Sequence, residues 1–265
     1  IFFYSILFID PLDTVKKFKG FLNIICITVF LLSFFNNEKK YFLPIILIPS
    51  SLHINYSYSP CLGIILGTLA CIIYFLKKKI LIKKEYLIIF TIISVIPIFL
   101  FVKALPNQFD QDSIKNQSFE IPTKIIDEHR QFIWGFSIKK IIEKPLLGYG
   151  QDSSNFIDGS QKIIGHELTG NMPFIPSHPH NFLLELILEV GIFGAVSFII
   201  FIFLLNMKIF NECNTREKYY LIFFNGYFWS SSLVNFSFWL SWWQGGYFLL
   251  LMLMASKVFE RKKLN

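Results

Sequence analysis

The longest apolar run covers residues 181–205, and its only charged residues are Glu185 and Glu189. A helix that crosses a bilayer needs about 20 apolar residues, within a range of roughly 17–25, and this run meets that length. Further apolar runs occupy 21–35, 41–53, 61–76, 86–102, 219–238 and 240–256, and residues 1–9 read as the tail of another. Several of these are short, so either flanking polar residues enter the membrane or, at Pro44 and Pro49, the chain bends against protein. Within 61–76, Gly63 and Gly67 stand one helical turn apart.

Only 16% of residues are charged while 54% are hydrophobic; a soluble domain carries about 25% charge. The expected fold class is therefore all-α, a polytopic transmembrane helical bundle with a large, partly helical external loop. Residues 1–102 are expected to be membrane helices, 103–180 the loop, and 181–265 the C-terminal helices with a basic tail. Ile1 begins mid-pattern, so an N-terminally truncated chain is expected.

The net charge of +7 lies in short loops between apolar runs, where lysines set topology rather than bind nucleic acid. The 77–84 loop, the 206–218 loop and the tail fall on one, cytoplasmic, side, which puts 103–180 on the periplasmic or external face. Lys16, Lys17 and Lys19 point the other way. Trp239, Trp242 and Trp243 then fall at the outer interface, where amphipathic rings are favoured. Cys26, Cys61, Cys71 and Cys213 have no CxxC spacing, so neither a disulfide framework nor a zinc site is expected.

The 103–180 segment carries charges of both signs and His129, His166, His178 and His180. Residues 123–144 read as one amphipathic helix, with Thr123 as N-cap and Pro145 as stop. Ile125, Ile126, Phe132, Ile133, Phe136, Ile141 and Ile142 form its apolar stripe. Such a helix is expected on the membrane surface, with Arg130 at headgroup height. A guanidinium there suits a lipid-linked phosphate; a salt bridge to Asp127 or Glu128 is the commoner fate. Trp134, four residues on, shares that face, and its usual role is packing. In the turn at 145–150, Gly148 and Gly150 permit positive φ and close backbone approach, although a lone GxG is weak evidence for a phosphate loop. Asp152, Asp158, His166 and Glu167 lack any metal-ligand spacing, so no metal is expected.

His178-Pro179-His180-Asn181 opens the longest apolar run. A histidine there is commonly just interfacial, but its ordinary titration range also suits a general base. Asn181 can orient a hydroxyl or carbonyl. Glu185 and Glu189, four apart in an apolar helix, are costly; they either buttress the site or pair with cations. Gly191 and Gly194 allow close helix packing.

His180-Asn181, nine residues, then Gly191-x-x-Gly194 resembles the signature of the O-antigen ligase and O-antigen polymerase superfamily. Arg130-x-x-x-Trp134 followed by Lys144-Pro-Leu-Leu-Gly-Tyr-Gly150 is also similar to that family's pattern, and the likeness runs from about 41 to 256. The resemblance implies a bacterial inner-membrane, multi-pass glycosyltransferase of surface lipopolysaccharide or polysaccharide biosynthesis, its active-site loop periplasmic. It implies metal-independent, cofactor-free, inverting transfer from an undecaprenyl-diphosphate-linked glycan. By position His180 is the base, Arg130 a diphosphate ligand, and His178, Asn181, Trp134 and Glu185 supporting residues. The acceptor is a lipid A-core for a ligase, a growing glycan for a polymerase, or a protein for an O-oligosaccharyltransferase; membrane lipids surround the chain.

One departure stands out. The family's usual Ser-Arg pair corresponds to Ser57-Tyr58-Ser59-Pro60, which has no arginine. Lys103, Lys139, Lys140 and Lys144 are the candidate replacement cations. A non-enzymatic transporter of lipid-linked sugars is the alternative from another class. It needs polar residues along several helices, whereas here they concentrate in the loop and at Glu185 and Glu189.

Overall fold

The computed structural model describes residues 23, 26–28, 30, 34–35, 58–79, 99–115, 117–167 and 169–264. The expected segments at 1–9 and 41–53, most of 21–35 and of 86–102, the lysines at 16–19 and the loop beyond residue 79 lie outside them. The helices are α1 (Tyr58–Lys79), α2 (Gln111–Lys115), α3 (Glu128–Glu143), α4 (Phe182–Glu212), α5 (Thr215–Ser232) and α6 (Ser241–Leu264). Among the described residues there is no strand, only an isolated bridge between Ile163 and Pro173. The chain is thus mostly helical, and α4 is the described helix long and apolar enough to cross a membrane.

Two compact units emerge. The first holds α1, α4 from Phe203 onward, α5 and α6. Pro60 sits in the first turn of α1, where its missing N–H removes no helical bond. The contact of α1 with α5 is made by glycine. A Cβ on Gly63 would stand 2.4 Å from Ser231 Oγ, and one on Gly226 2.7 Å from Gly67 Cα. Small residues let the helix backbones approach, and two serines lock the approach: Ser59 Oγ donates to Ser231 O at 3.1 Å, and Ser231 Oγ to Ser59 O at 3.0 Å. Around Tyr247, which is fully buried, runs a closed polar ring. Asn206 Nδ2 donates to Tyr247 Oη at 2.8 Å, Tyr247 Oη to Asn225 Oδ1 at 2.7 Å, and Asn225 Nδ2 to Asn206 Oδ1 at 2.8 Å.

The expected 206–218 loop contracts to Cys213 and Asn214, because Asn214 restarts the helix at once. Its side chain accepts from Glu217 N at 2.9 Å while Glu217 Oε2 accepts from Asn214 N at 2.9 Å. The other Glu217 oxygen pairs with Arg261 near the end of α6. Trp243 departs from its interfacial expectation. It is 2% exposed, stacks on Phe228 at 4.5 Å and donates to Ser232 Oγ at 2.7 Å.

The second unit holds the described residues from 99 to Ile202 together with Ser237–Trp239. Its core is α3 itself: every residue from Gln131 to Ser137 is buried. A helix enclosed on all sides is not one lying flat on a membrane, which corrects the amphipathic surface reading. The start also moves, from Thr123 to Asp127. A turn on Pro122 O takes the amides of Ile125 (2.8 Å) and Ile126 (3.2 Å), and Asp127 Oδ1 then caps the helix by accepting from Arg130 N at 2.9 Å. Phe132, Ile133, Phe136, Phe174, Ile164 and Ile175 pack together, each contributing about 1.5–3 kcal/mol by burial. Gly135 lets the 106 backbone cross the helix, for a Cβ there would lie 2.0 Å from Pro106 O.

Candidate functional site

The 178–181 turn sits at the mouth of α4 and is pinned by α3. Trp134, 4% exposed, donates its indole N–H to Pro179 O at 2.9 Å. Pro179 itself is buried. The histidines on either side of it meet, ring centroids 4.2 Å apart at 61°, and Ser177 Oγ lies 2.9 Å from His178 Nδ1. His180 has a left-handed backbone, φ +54, a conformation non-glycine residues adopt at a cost and keep where the surroundings dictate it. Asn181 is the N-cap of α4: its Oδ1 accepts from Leu183 N (3.0 Å) and Leu184 N (3.1 Å). That oxygen therefore serves the helix, leaving the amide nitrogen as the group able to address a ligand.

Glu185 and Glu189 of α4 are each 1% exposed. Glu185 accepts from Ser237 Oγ at 2.6 Å and Phe238 N at 2.5 Å. Glu189 accepts from Asp152 N at 2.6 Å, from Ser154 N at 3.0 Å, from the Ser154 hydroxyl and from the Trp239 indole. Hydroxyl, amide and indole donors, rather than cations, satisfy these acids. One carboxylate thus fixes both the 150–154 turn and the 237–239 segment to the helix that begins beside His180.

Gly191 interrupts α4 with φ 69 and ψ −179. The backbone groups freed by the break pair with the 145–150 segment. Tyr149 N and Gly150 N donate to Leu188 O (3.0 Å) and Glu189 O (2.8 Å), and Ile192 N and Phe193 N donate to Pro145 O (2.9 Å) and Leu146 O (3.4 Å). Glycine is needed on both sides of this crossing. A Cβ on Gly191 would lie 2.1 Å from Leu146 O, and one on Gly148 2.5 Å from Glu189 O. The close approach at Gly191 is thus to this loop, not to a second helix. The amides of Tyr149 and Gly150 are spent on the helix, which argues against a phosphate loop there.

Arg130 lies one turn before Trp134 on α3, its Nε 3.4 Å from Asp127 Oδ2. The lysines considered as replacement cations each have a partner. Lys103 lies over Phe99 (5.1 Å), Lys139 over Phe109 (5.3 Å) and Lys144 over Tyr149 (4.5 Å), while Lys140 donates to Glu143 Oε2 at 2.9 Å. Tyr58 begins α1, but its side chain and Ser57 lie outside the described residues. His166 is packed between Phe119 and Phe132. Among the described residues no three His, Cys, Asp or Glu side chains converge on one point.

The sequence reading named Trp134 and His178 as supporting residues of His180; the Trp134 indole bonds Pro179 O, between the two histidines. That reading did not find Gly135, Ser154, Ser237 or the 145–150 pairing; the spaced glycines at 148 and 191, with Pro145, were the available signal.

The sequence matches the family model described as O-antigen ligase over residues 43–199. It is 31% identical to a Rickettsia typhi protein named "Putative polysaccharide ligase", over 86% of this chain and 56% of that one. A Rickettsia prowazekii protein of the same name is 31% identical over 78% of this chain and 49% of its own, and one from Rickettsia conorii is 37% identical over 48% and 31%. The chain thus spans about half the length of the first of these curated relatives. No solved structure matches.

Proposed function

Because the chain belongs to the O-antigen ligase family, we propose that it carries the catalytic turn of a membrane enzyme that transfers a glycan from an undecaprenyl-diphosphate carrier to an acceptor hydroxyl. The 103–180 segment is the periplasmic catalytic loop in this reading, on a multi-pass inner-membrane protein. The observation that carries it is the pinned histidine turn: His180, left-handed and against His178, beside a proline carbonyl held by Trp134.

His180 accepts the acceptor hydroxyl's proton as that oxygen attacks the anomeric carbon. The bond from that carbon to the diphosphate oxygen breaks, the diphosphate leaves with the electron pair, and the anomeric configuration inverts. Arg130 turns from Asp127 to the departing diphosphate, a bidentate partner for a guanidinium. Glu185 and Glu189 hold the turn's surroundings rigid and take no proton in the step.

Transfer by the complete protein tests this. His180→Ala should abolish product while the protein stays in the membrane; wild-type-like transfer overturns the base assignment. Arg130→Ala should weaken donor use far more than acceptor use, and an unchanged apparent donor affinity removes its role. Deleting the gene separates the acceptors. Full-length glycan accumulating on the lipid carrier marks a ligase, and single repeats on lipid A-core mark a polymerase.

A further inference from the structure

We propose that the Pro145-Leu146-Leu147 turn is a wedge that enters one leaflet of the bilayer and fixes the depth of this unit, with a phospholipid surface as its partner. Exposure along α4 reverses at Gly191. Leu186 and Leu188 before it are at most 2% exposed, whereas Ile192, Phe193, Val196, Ile199 and Ile200 after it are 43–61% exposed. From Ile192 to Glu212 the helix is about 31 Å long at 1.5 Å per residue, close to the hydrocarbon thickness of about 30 Å. The break therefore marks the edge of the hydrocarbon.

Main-chain bonds to Ile192 and Phe193 hold Pro145 and Leu146 at that edge. Leu146 is 54% exposed, Leu147 77%, and Ile142, one turn back on α3, 72%. These apolar side chains are exposed beside a segment that is bonded to the exposed part of α4. Lys139 and Lys144, both exposed, flank them in sequence, while Lys140 is held by Glu143. Their apolar stems and ammonium ends match the acyl boundary and anionic headgroups respectively. The helical residues of α4 before the break span about 13 Å along their own axis between the break and the histidine turn.

Site-directed spin labelling tests the wedge. The complete protein, with Cys26, Cys61, Cys71 and Cys213 changed to Ser, is reconstituted in vesicles of phosphatidylethanolamine and phosphatidylglycerol. Labels are placed at Leu147→Cys, at Phe193→Cys and, beyond the far end of α3, at Ile125→Cys. Relaxation by oxygen should dominate at 147 as at 193, and relaxation by a water-soluble nickel chelate at 125. Leu146→Cys gives an independent reading should Leu147→Cys fail to insert. Nickel dominating at 147 overturns the wedge, and so does shielding from both reagents, which means a protein surface covers the turn. A nickel-exposed label in a protein that still transfers glycan defeats the wedge alone.

Discussion

His180 combines a left-handed backbone, φ +54, with a side chain packed against a second imidazole. The left-handed region costs a non-glycine residue about 1–2 kcal/mol. Glycine removes that cost but adds about 0.5–1 kcal/mol of unfolded-chain entropy. His180→Gly should therefore be neutral to about 1 kcal/mol more stable in thermal unfolding of the purified protein, while transfer is lost. A fall in stability of more than about 1 kcal/mol would mean that imidazole packing, not the surrounding turn, sets the conformation. The residue types of this turn were legible, and its strain was not, because nothing local to His-Pro-His-Asn demands positive φ. Asn181 shows the opposite case. Asparagine immediately before an apolar run is a strong N-cap signal, and the cap is what the side chain makes.

At the scale of elements, the crossing of the 145–150 segment over the break in α4 makes a sharp comparison between glycines. Gly191→Ala combines positive φ with a Cβ 2.1 Å from a backbone oxygen, whereas Gly150→Ala has φ +112 and no heavy atom within 4 Å. The first should cost about 3 kcal/mol or more and the second about 1–2 kcal/mol, read as thermal midpoints. Equal losses would show that conformation alone governs both sites. The apolar run at 181–205 made α4 legible. Its break was not, since Gly191-x-x-Gly194 reads equally well as packing, and the partner that explains it lies some 45 residues earlier in sequence.

The same crossing is clamped from α3. The hydrogen bond from Lys140 holds the Glu143 carboxyl below its usual range, and Tyr149 Oη, 2.9 Å away, adds to this. Burial and that carboxylate push the Tyr149 phenol up to about 12. A lowered carboxyl stabilises the fold above the ordinary carboxylate range and loses that contribution as pH falls through its folded value. Glu143→Gln should thus lower stability by a few tenths of a kcal/mol at pH 7, since the group is exposed. In acid the variant and wild type should converge; a difference that persists there would point to packing instead of charge.

Across the whole molecule, α4 belongs to both units: Phe182–Ile202 lies with the histidine turn, and the residues from Phe203 onward lie with α1, α5 and α6. Its second half is anchored by the ring of Asn206, Asn225 and Tyr247. Here two amides and a phenol satisfy one another among apolar helices. Polar residues so placed are costly without partners, yet membrane helices find alternatives in the unfolded state, so such bonds average only about 0.6 kcal/mol, with a maximum near 1.7 kcal/mol. Tyr247→Phe strips one donor and one acceptor at once and leaves Asn206 Nδ2 and Asn225 Oδ1 without that partner. It should cost about 1–2 kcal/mol, towards the upper end of that range. Asn225→Leu should cost a similar amount, and the double variant less than their sum, because the ring is lost only once. Additive costs would mean that the three side chains are held separately by their own helices. Glycan transfer per folded molecule should survive Tyr247→Phe, since Tyr247 is not among the residues proposed for the transfer step; only the amount of folded protein should fall.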